Sequence, residues 1–172
     1  NGLISLGRYL ADAGQFDEGE TVTKKALEMT LTELRAEPNN QDLAARALNS
    51  IHNLTLAAFD AKKYDSAVAY ARQAFTLYAG LSADTRKIVY HRDYMASINE
   101  WFGLSLLTLD RPAAALSVRR ARLDEACKAL TSSVNYIEEK RVEKLGTLSE
   151  EQRIQRTEGL TRCRAAQAAL AR

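Results

Sequence analysis

The sequence predicts an all-α protein built as a solenoid of repeated helical hairpins, and three observations indicate this class. The 172-residue chain has only two prolines and eight glycines at 46 % apolar content, which suits helices better than a sheet sandwich with its many turns. Apolar residues recur at spacings of three and four through successive segments. The breaks between segments also recur, because Phe16, Tyr64 and Pro112 follow one another at intervals of 48 residues.

The first predicted hairpin covers residues 1–37. Gly14 ends its first helix, since glycine tolerates the left-handed conformation that follows many helices. Asp17 and Glu20 have the spacing of a capping box and predict the start of the second helix. Pro38 ends that helix because proline cannot continue it.

The second predicted hairpin covers residues 41–80, and Asp65 is expected to cap its second helix. The third covers residues 84–145. Its first helix is predicted to run unbroken over residues 84–109, and Pro112 is expected at the first position of the next helix.

A last helix is predicted over residues 149–171, after an interruption at Gly146 and a capping box of Ser149 and Gln152. Its large apolar residues are sparse, as expected for the capping element of a solenoid. We therefore predict a single domain over residues 1–172. The chain opens inside a helical pattern without methionine, which indicates a domain excised from a longer chain.

The hairpins share a pattern of large and small residues. It is Leu3-x-x-Leu6-Gly7-x-x-Leu10 in the first helix of the first hairpin, and it recurs from Ile51 and from Asn99. On these residues the chain resembles the tetratricopeptide repeat family, as a long-helix variant whose period of 48 replaces the usual period of about 34. The resemblance implies a right-handed solenoid of three antiparallel hairpins with a concave groove.

The third hairpin departs from the family pattern. Arg119 and Arg122 stand where small buried residues are expected. Two explanations are open: the third hairpin drifts out of phase, or its second helix packs differently against the terminal helix.

The resemblance implies a non-catalytic scaffold that binds a peptide or a helix of a partner protein in its groove. The alternative is a regulatory or sensor domain of a larger signalling protein that responds to a peptide or partner. The expected partner-binding residues are Arg8, Arg46, Asn49, His52, Asn53, Leu56, Tyr90, Tyr94, Ser97, Glu100, Trp101 and Leu104.

No enzyme, cofactor or metal site is predicted, because no catalytic triad, phosphate loop or ligand cluster is visible. His91-Arg92-Asp93-Tyr94 is similar to a kinase catalytic loop, but Ile98 stands where that motif needs asparagine. Residues 111–172 carry a net charge of +5, too diluted by acids to indicate a nucleic-acid surface. Nucleic-acid binding through the arginines of this segment is the least favoured hypothesis. These arginines are Arg119, Arg120, Arg122, Arg153 and Arg156.

The two cysteines, Cys127 and Cys163, are too few and too scattered for a disulfide framework. We expect both to be free, buried core residues. Free thiols indicate a reducing compartment, so the predicted location is cytoplasmic. No apolar run has the length of a membrane span, so no membrane association is expected.

Overall fold

The computed structural model describes residues 2–143 and 150–171, with side chains for 2–140 and 153–171. Regular structure in these residues is entirely helical, which confirms the predicted class. The helices are α1 (Gly2–Asp12), α2 (Phe16–Ala36), α3 (Gln41–Asp60), α4 (Tyr64–Gly80), α5 (Ala83–Lys87), α6 (Val89–Thr108), α7 (Leu116–Glu143) and α8 (Glu150–Leu170). They form two compact units, one ending at Ile98 and one starting at Asn99, which are described in turn. Within the described residues, no helix is long and apolar enough to cross a membrane.

Neighbouring helices of the first unit pack against one another. Helix α1 packs on α2, α2 on α3, and α3 on α4, while α1 also touches α3. The core lies on one stripe of α3, where Ile51, Leu54 and Ala58 are buried. It is closed by a stripe of alanines on α4, namely Ala67, Ala71 and Ala74. These small side chains form the face of α4 that packs against α3.

The 48-residue repeat is visible in the backbone of the first two helix joints. Gly14 and Lys62 stand one period apart, and both adopt positive φ, of 82° and 59°. The next residue donates its N–H to a carbonyl five residues back, from Gln15 to Leu10 and from Lys63 to Ala58, at 2.9 and 2.8 Å. This is the same C-terminal capping turn twice. The predicted end of the first helix at Gly14 is confirmed.

The predicted N-terminal caps of α2 and α4 are wrong. The helices begin at Phe16 and Tyr64, so Asp17 and Asp65 lie within the first turn, and neither N-cap residue makes a side-chain capping bond. Because the left-handed turn is tight, the next helix begins one residue before the aspartate at both joints. Both carboxylates still favour the positive end of the helix dipole. Asp17 also accepts a hydrogen bond from Lys63 Nζ at 2.6 Å, which links the two joints.

The helix predicted over residues 84–109 is broken at Ile88, which is extended and separates α5 from α6. Three residues after the break stands His91, whose side chain is completely buried. Its Nδ1 lies 2.7 Å from the Thr85 carbonyl oxygen and its Nε2 lies 3.2 Å from the Gln41 carbonyl oxygen. A neutral imidazole has one N–H and can donate to one of these oxygens, whereas imidazolium can donate to both. The ring thus joins the start of α3 to the α5–α6 break.

The third joint differs from the first two. Helix α7 begins at Leu116, so Pro112 lies in the preceding turn and not at the first helical position. Arg119 Nη2 pairs with the Asp110 carboxylate at 2.9 Å, and Arg122 Nη1 donates to the Leu109 carbonyl oxygen at 2.6 Å. The two arginines therefore link the start of α7 to the turn that follows α6.

The close contact of Gly103 also differs from the one that the predicted repeat gives. Gly7 closely approaches Gly19 and Thr23 of α2, and the family pattern predicts the same contact from Gly103 to Ala115 and Arg119. Instead, a Cβ on Gly103 would lie 3.0 Å from the Ala126 oxygen and 2.6 Å from Leu130 Cγ. The contact on α7 is therefore displaced by 11 residues, or about three helical turns, from the predicted position.

In the second unit, α7 packs against α8. Cys127 of α7 and Cys163 of α8 form a disulfide bond with a Cα–Cα distance of 5.6 Å. The expectation of two free thiols is therefore wrong, and the argument from free thiols to a cytoplasmic location no longer holds. The helices bring together two residues 36 positions apart, which spacing along the chain does not reveal. The predicted features at Gly146, Ser149 and the Gln152 side chain lie outside the described residues.

Substitution of Gly19 by alanine is expected to destabilise the protein by about 2 kcal/mol, because overpacking a tight contact typically costs that much. The added methyl group would lie 2.6 Å from the Gly7 carbonyl oxygen and 3.0 Å from the Ala11 nitrogen, both backbone atoms that cannot rotate away. Urea denaturation followed by far-UV circular dichroism measures the effect. Gly80→Ala is the matched control, since nothing lies within 4 Å of that Cβ position. Equal stabilities of the two variants would contradict the close helix contact.

Candidate functional site

Four of the predicted site residues form one stripe on α3. Asn49, His52, Asn53 and Leu56 follow the three-and-four spacing of a helix face, and all four are half-buried. The core residues of α3 occupy the opposite face. His52 Nδ1 lies 3.4 Å from Asn53 Oδ1, so the two polar groups are in contact. Arg46 precedes the stripe and is exposed.

The first half of α6 continues this surface through Tyr94. The rings of His52 and Tyr94 lie 5.6 Å apart at an interplanar angle of 46°. Burial raises the pKa of the Tyr94 hydroxyl, and the neighbouring Asp93 and Tyr90 add to the increase. Tyr90 is exposed and Ser97 is half-buried. The structure therefore brings the α3 stripe and the α6 residues together at the His52–Tyr94 contact.

Arg8 lies on α1 beside an acidic pair. Its Nε is 2.8 Å from an Asp12 carboxylate oxygen. Burial raises the pKa of the Asp60 carboxyl on α3; Arg8 opposes the increase, and Asp12 adds to it. Asp12 and Asp60 also line a small pocket of about 180 Å³ between α1 and α3. One end of the surface therefore offers two carboxylates and a guanidinium that is already paired.

Two of the three predicted residues in the second unit face the interior. Glu100 is 3 % exposed and accepts a hydrogen bond from Arg156 Nε at 2.6 Å. Leu104 is buried, with Cδ2 2.9 Å from the position a Cβ would take on Gly159. Helix α8 covers this face of α6, so Glu100 and Leu104 are not available to a partner. Trp101, on a neighbouring face of the helix, is half-buried.

The arginines of residues 111–172 are largely engaged within the chain. Arg119, Arg122 and Arg156 make the contacts given above, and Arg120 Nη2 donates to the Leu170 carbonyl oxygen at 3.3 Å. These roles are not visible in the sequence because each partner lies on another helix or across a turn. The only signal in the sequence was arginine at Arg119 and Arg122, two positions where the predicted repeat has small residues.

The described residues include no group of three or more His, Cys, Asp or Glu side chains placed to bind a metal ion. The kinase-like tetrapeptide lies in α6 with its histidine buried, so it does not form a loop. Comparison of the chain with protein-family models, with curated proteins and with solved structures finds no match.

Proposed function

We propose that this chain is a non-catalytic protein-interaction module, a tetratricopeptide-like solenoid that binds a peptide or helix of a partner protein. The binding surface is formed in the first unit by the α3 stripe of Asn49, His52, Asn53 and Leu56 together with Tyr94. The single observation that supports this best is the half-burial of these polar and aromatic side chains along adjacent helices. Each of these side chains is partly exposed, so it can contact a ligand without a change in the fold.

The chemistry of the surface suits a polypeptide ligand. Asparagine amides both donate and accept hydrogen bonds, and so match the alternating groups of a peptide backbone. Tyr94 supplies an apolar ring with a hydroxyl group, the combination that is enriched at binding hot spots. Leu56 adds a small apolar contact. The carboxylates of Asp12 and Asp60 favour a ligand with a positive charge at that end.

Asn53→Ala and Tyr94→Ala are each expected to weaken peptide binding by about tenfold or more, since a lost hot-spot contact costs about 2 kcal/mol or more and about 1.4 kcal/mol corresponds to tenfold. Peptides are first selected from a display library on the intact protein, and the affinity of a selected peptide is measured by fluorescence anisotropy. Asn39→Ala is the control, because Asn39 is exposed in the turn between α2 and α3. Failure of the selection, or peptides indifferent to both substitutions, would contradict the proposal.

A further inference from the structure

The small pocket between α1 and α3 adjoins the proposed binding surface. Asp60 follows Leu56 by four residues and so lies on the same face of α3. Four apolar side chains and two carboxylates line the pocket: Ala11, Phe16, Ala57, Ala61, Asp12 and Asp60. Its volume of about 180 Å³ is below the range of about 300–1,000 Å³ that small-molecule sites commonly span. The pocket is therefore of a size for one side chain of a larger ligand.

Both carboxylates of the pocket stand at the C-terminal end of a helix. Asp12 is the last residue of α1, and Asp60 is the last residue of α3. The C-terminal end of a helix carries a partial negative charge, so a carboxylate at that end is unfavourable. Neither helix has a basic residue in its last turn to offset this charge. Two negative helix ends and two carboxylates therefore meet at one pocket.

Arg8 compensates part of this negative charge. Its Nε pairs with the Asp12 carboxylate at 2.8 Å, and it also opposes the effect of burial on the pKa of the Asp60 carboxyl. Two carboxylates and one guanidinium leave one negative charge in excess. A ligand group with a single positive charge would balance it. Apolar walls suit such a group on a hydrocarbon stem better than they suit Ca²⁺, which takes about six to eight oxygen ligands.

The chain already binds an ammonium group at the same joint with the same types of side chain. Lys63 Nζ pairs with Asp17 at 2.6 Å and lies 4.0 Å from the centre of the Phe16 ring. An aromatic face and a carboxylate both attract an ammonium group. Because Lys63 is held by Asp17, it does not supply the charge that the pocket lacks.

We infer that this pocket binds the side chain of a lysine or arginine of the partner polypeptide. The inference rests on the proposed function and names a charged residue that the ligand must carry. The hydrocarbon stem lies against the alanines, and the charged head lies beside the two carboxylates. Asp60 follows Asn53 by seven residues, which is about 10.5 Å along α3. In an extended ligand the cationic residue is therefore about three residues from the one that contacts Asn53.

The test uses a peptide selected on the intact protein from a random display library. We expect the selected sequences to share a lysine or arginine. Norleucine in place of that lysine, or citrulline in place of that arginine, removes the charge and is expected to weaken binding by about tenfold in fluorescence anisotropy. Asp60→Asn should weaken binding of the original peptide to a similar extent. It should have little further effect on the uncharged peptide, because the two changes remove the same interaction.

Asp65→Asn is the matched control variant, because Asp65 is also exposed but does not line the pocket. It is expected to bind both peptides as the unmodified protein does. Urea denaturation separates a binding role of Asp60 from a structural one. Removal of a carboxylate from a helix C-terminus is expected to leave the midpoint of Asp60→Asn unchanged or slightly higher, whereas a structural role predicts a lower midpoint.

Three results would overturn the inference while the proposed function stands. The first is a set of selected peptides that share no cationic residue. The second is equal weakening of the original and the uncharged peptide by Asp60→Asn. The third is calcium binding, measured by calorimetry, that Asp60→Asn abolishes, because it would assign the pocket to a metal ion. Failure of the selection itself would reject the proposed function and the inference together.

Discussion

Substitution of Arg156 by methionine is expected to destabilise the protein by about 3–5 kcal/mol at pH 7.5 and by much less at pH 4.5. The reason is that Arg156 and Glu100 form an ion pair with both side chains about 5 % exposed or less. Removal of one partner leaves the other charge buried without compensation, which has a cost of that size. A carboxyl group can relieve the cost by taking up a proton.

The direction of the pH effect follows from the pKa of Glu100. Burial already raises this pKa above its usual range, and Arg156 opposes the increase. Without Arg156 the pKa in the folded state rises further, while the pKa in the unfolded state does not change. The folded variant then binds more protons than the unfolded chain between the two pKa values. Its free energy of unfolding therefore falls as the pH rises through that window.

Urea denaturation of variant and unmodified protein at both pH values measures this prediction. Glu100→Gln is the matched control, because it leaves an arginine buried, and arginine cannot lose its charge in this pH range. Its destabilisation should be similar at the two pH values. The double variant Glu100→Leu, Arg156→Met should recover most of the lost stability. A pH-independent loss in Arg156→Met would contradict the assignment of a buried, ionised Glu100.

Reduction of the Cys127–Cys163 disulfide is expected to destabilise the second unit by about 4 kcal/mol. The bond closes a loop of 36 residues, and the entropy of a loop of that length in the unfolded chain accounts for the estimate. Trp101, the one tryptophan of the chain, lies in this unit and reports its unfolding by fluorescence. Urea titrations with and without a reducing agent give the difference.

The Cys127→Ala, Cys163→Ala variant serves as the control for this measurement. Its stability should be close to that of the reduced protein and should not respond to the reducing agent. Thiol titration of the unreduced, denatured protein is expected to find no free thiol. Two reactive thiols in that assay would show that the cysteines are not paired in solution.

Much of the fold could be predicted from the sequence because the signals are local. Apolar spacing predicted the helical class, and Gly14 marked the first joint. The 48-residue spacing located the equivalent joint at Lys62, although lysine gives no glycine signal there. Gly7, the small residue of the first repeated pattern, lies against Gly19. The phase of α3 also placed its polar stripe on the face opposite the core.

What the sequence by itself determined is thus the helical class, and the inward face of α3. Only the tertiary structure decided which distant residues meet. His91, just after the break at Ile88, contacts Gln41, and the buried Glu100 pairs with Arg156, 56 residues away. The disulfide joins residues 36 positions apart, and the contact of Gly103 falls on Ala126 and Leu130 of α7. Helix periodicity gives the direction of a side chain, but the packing of two faces determines its partner, and that contact is non-local.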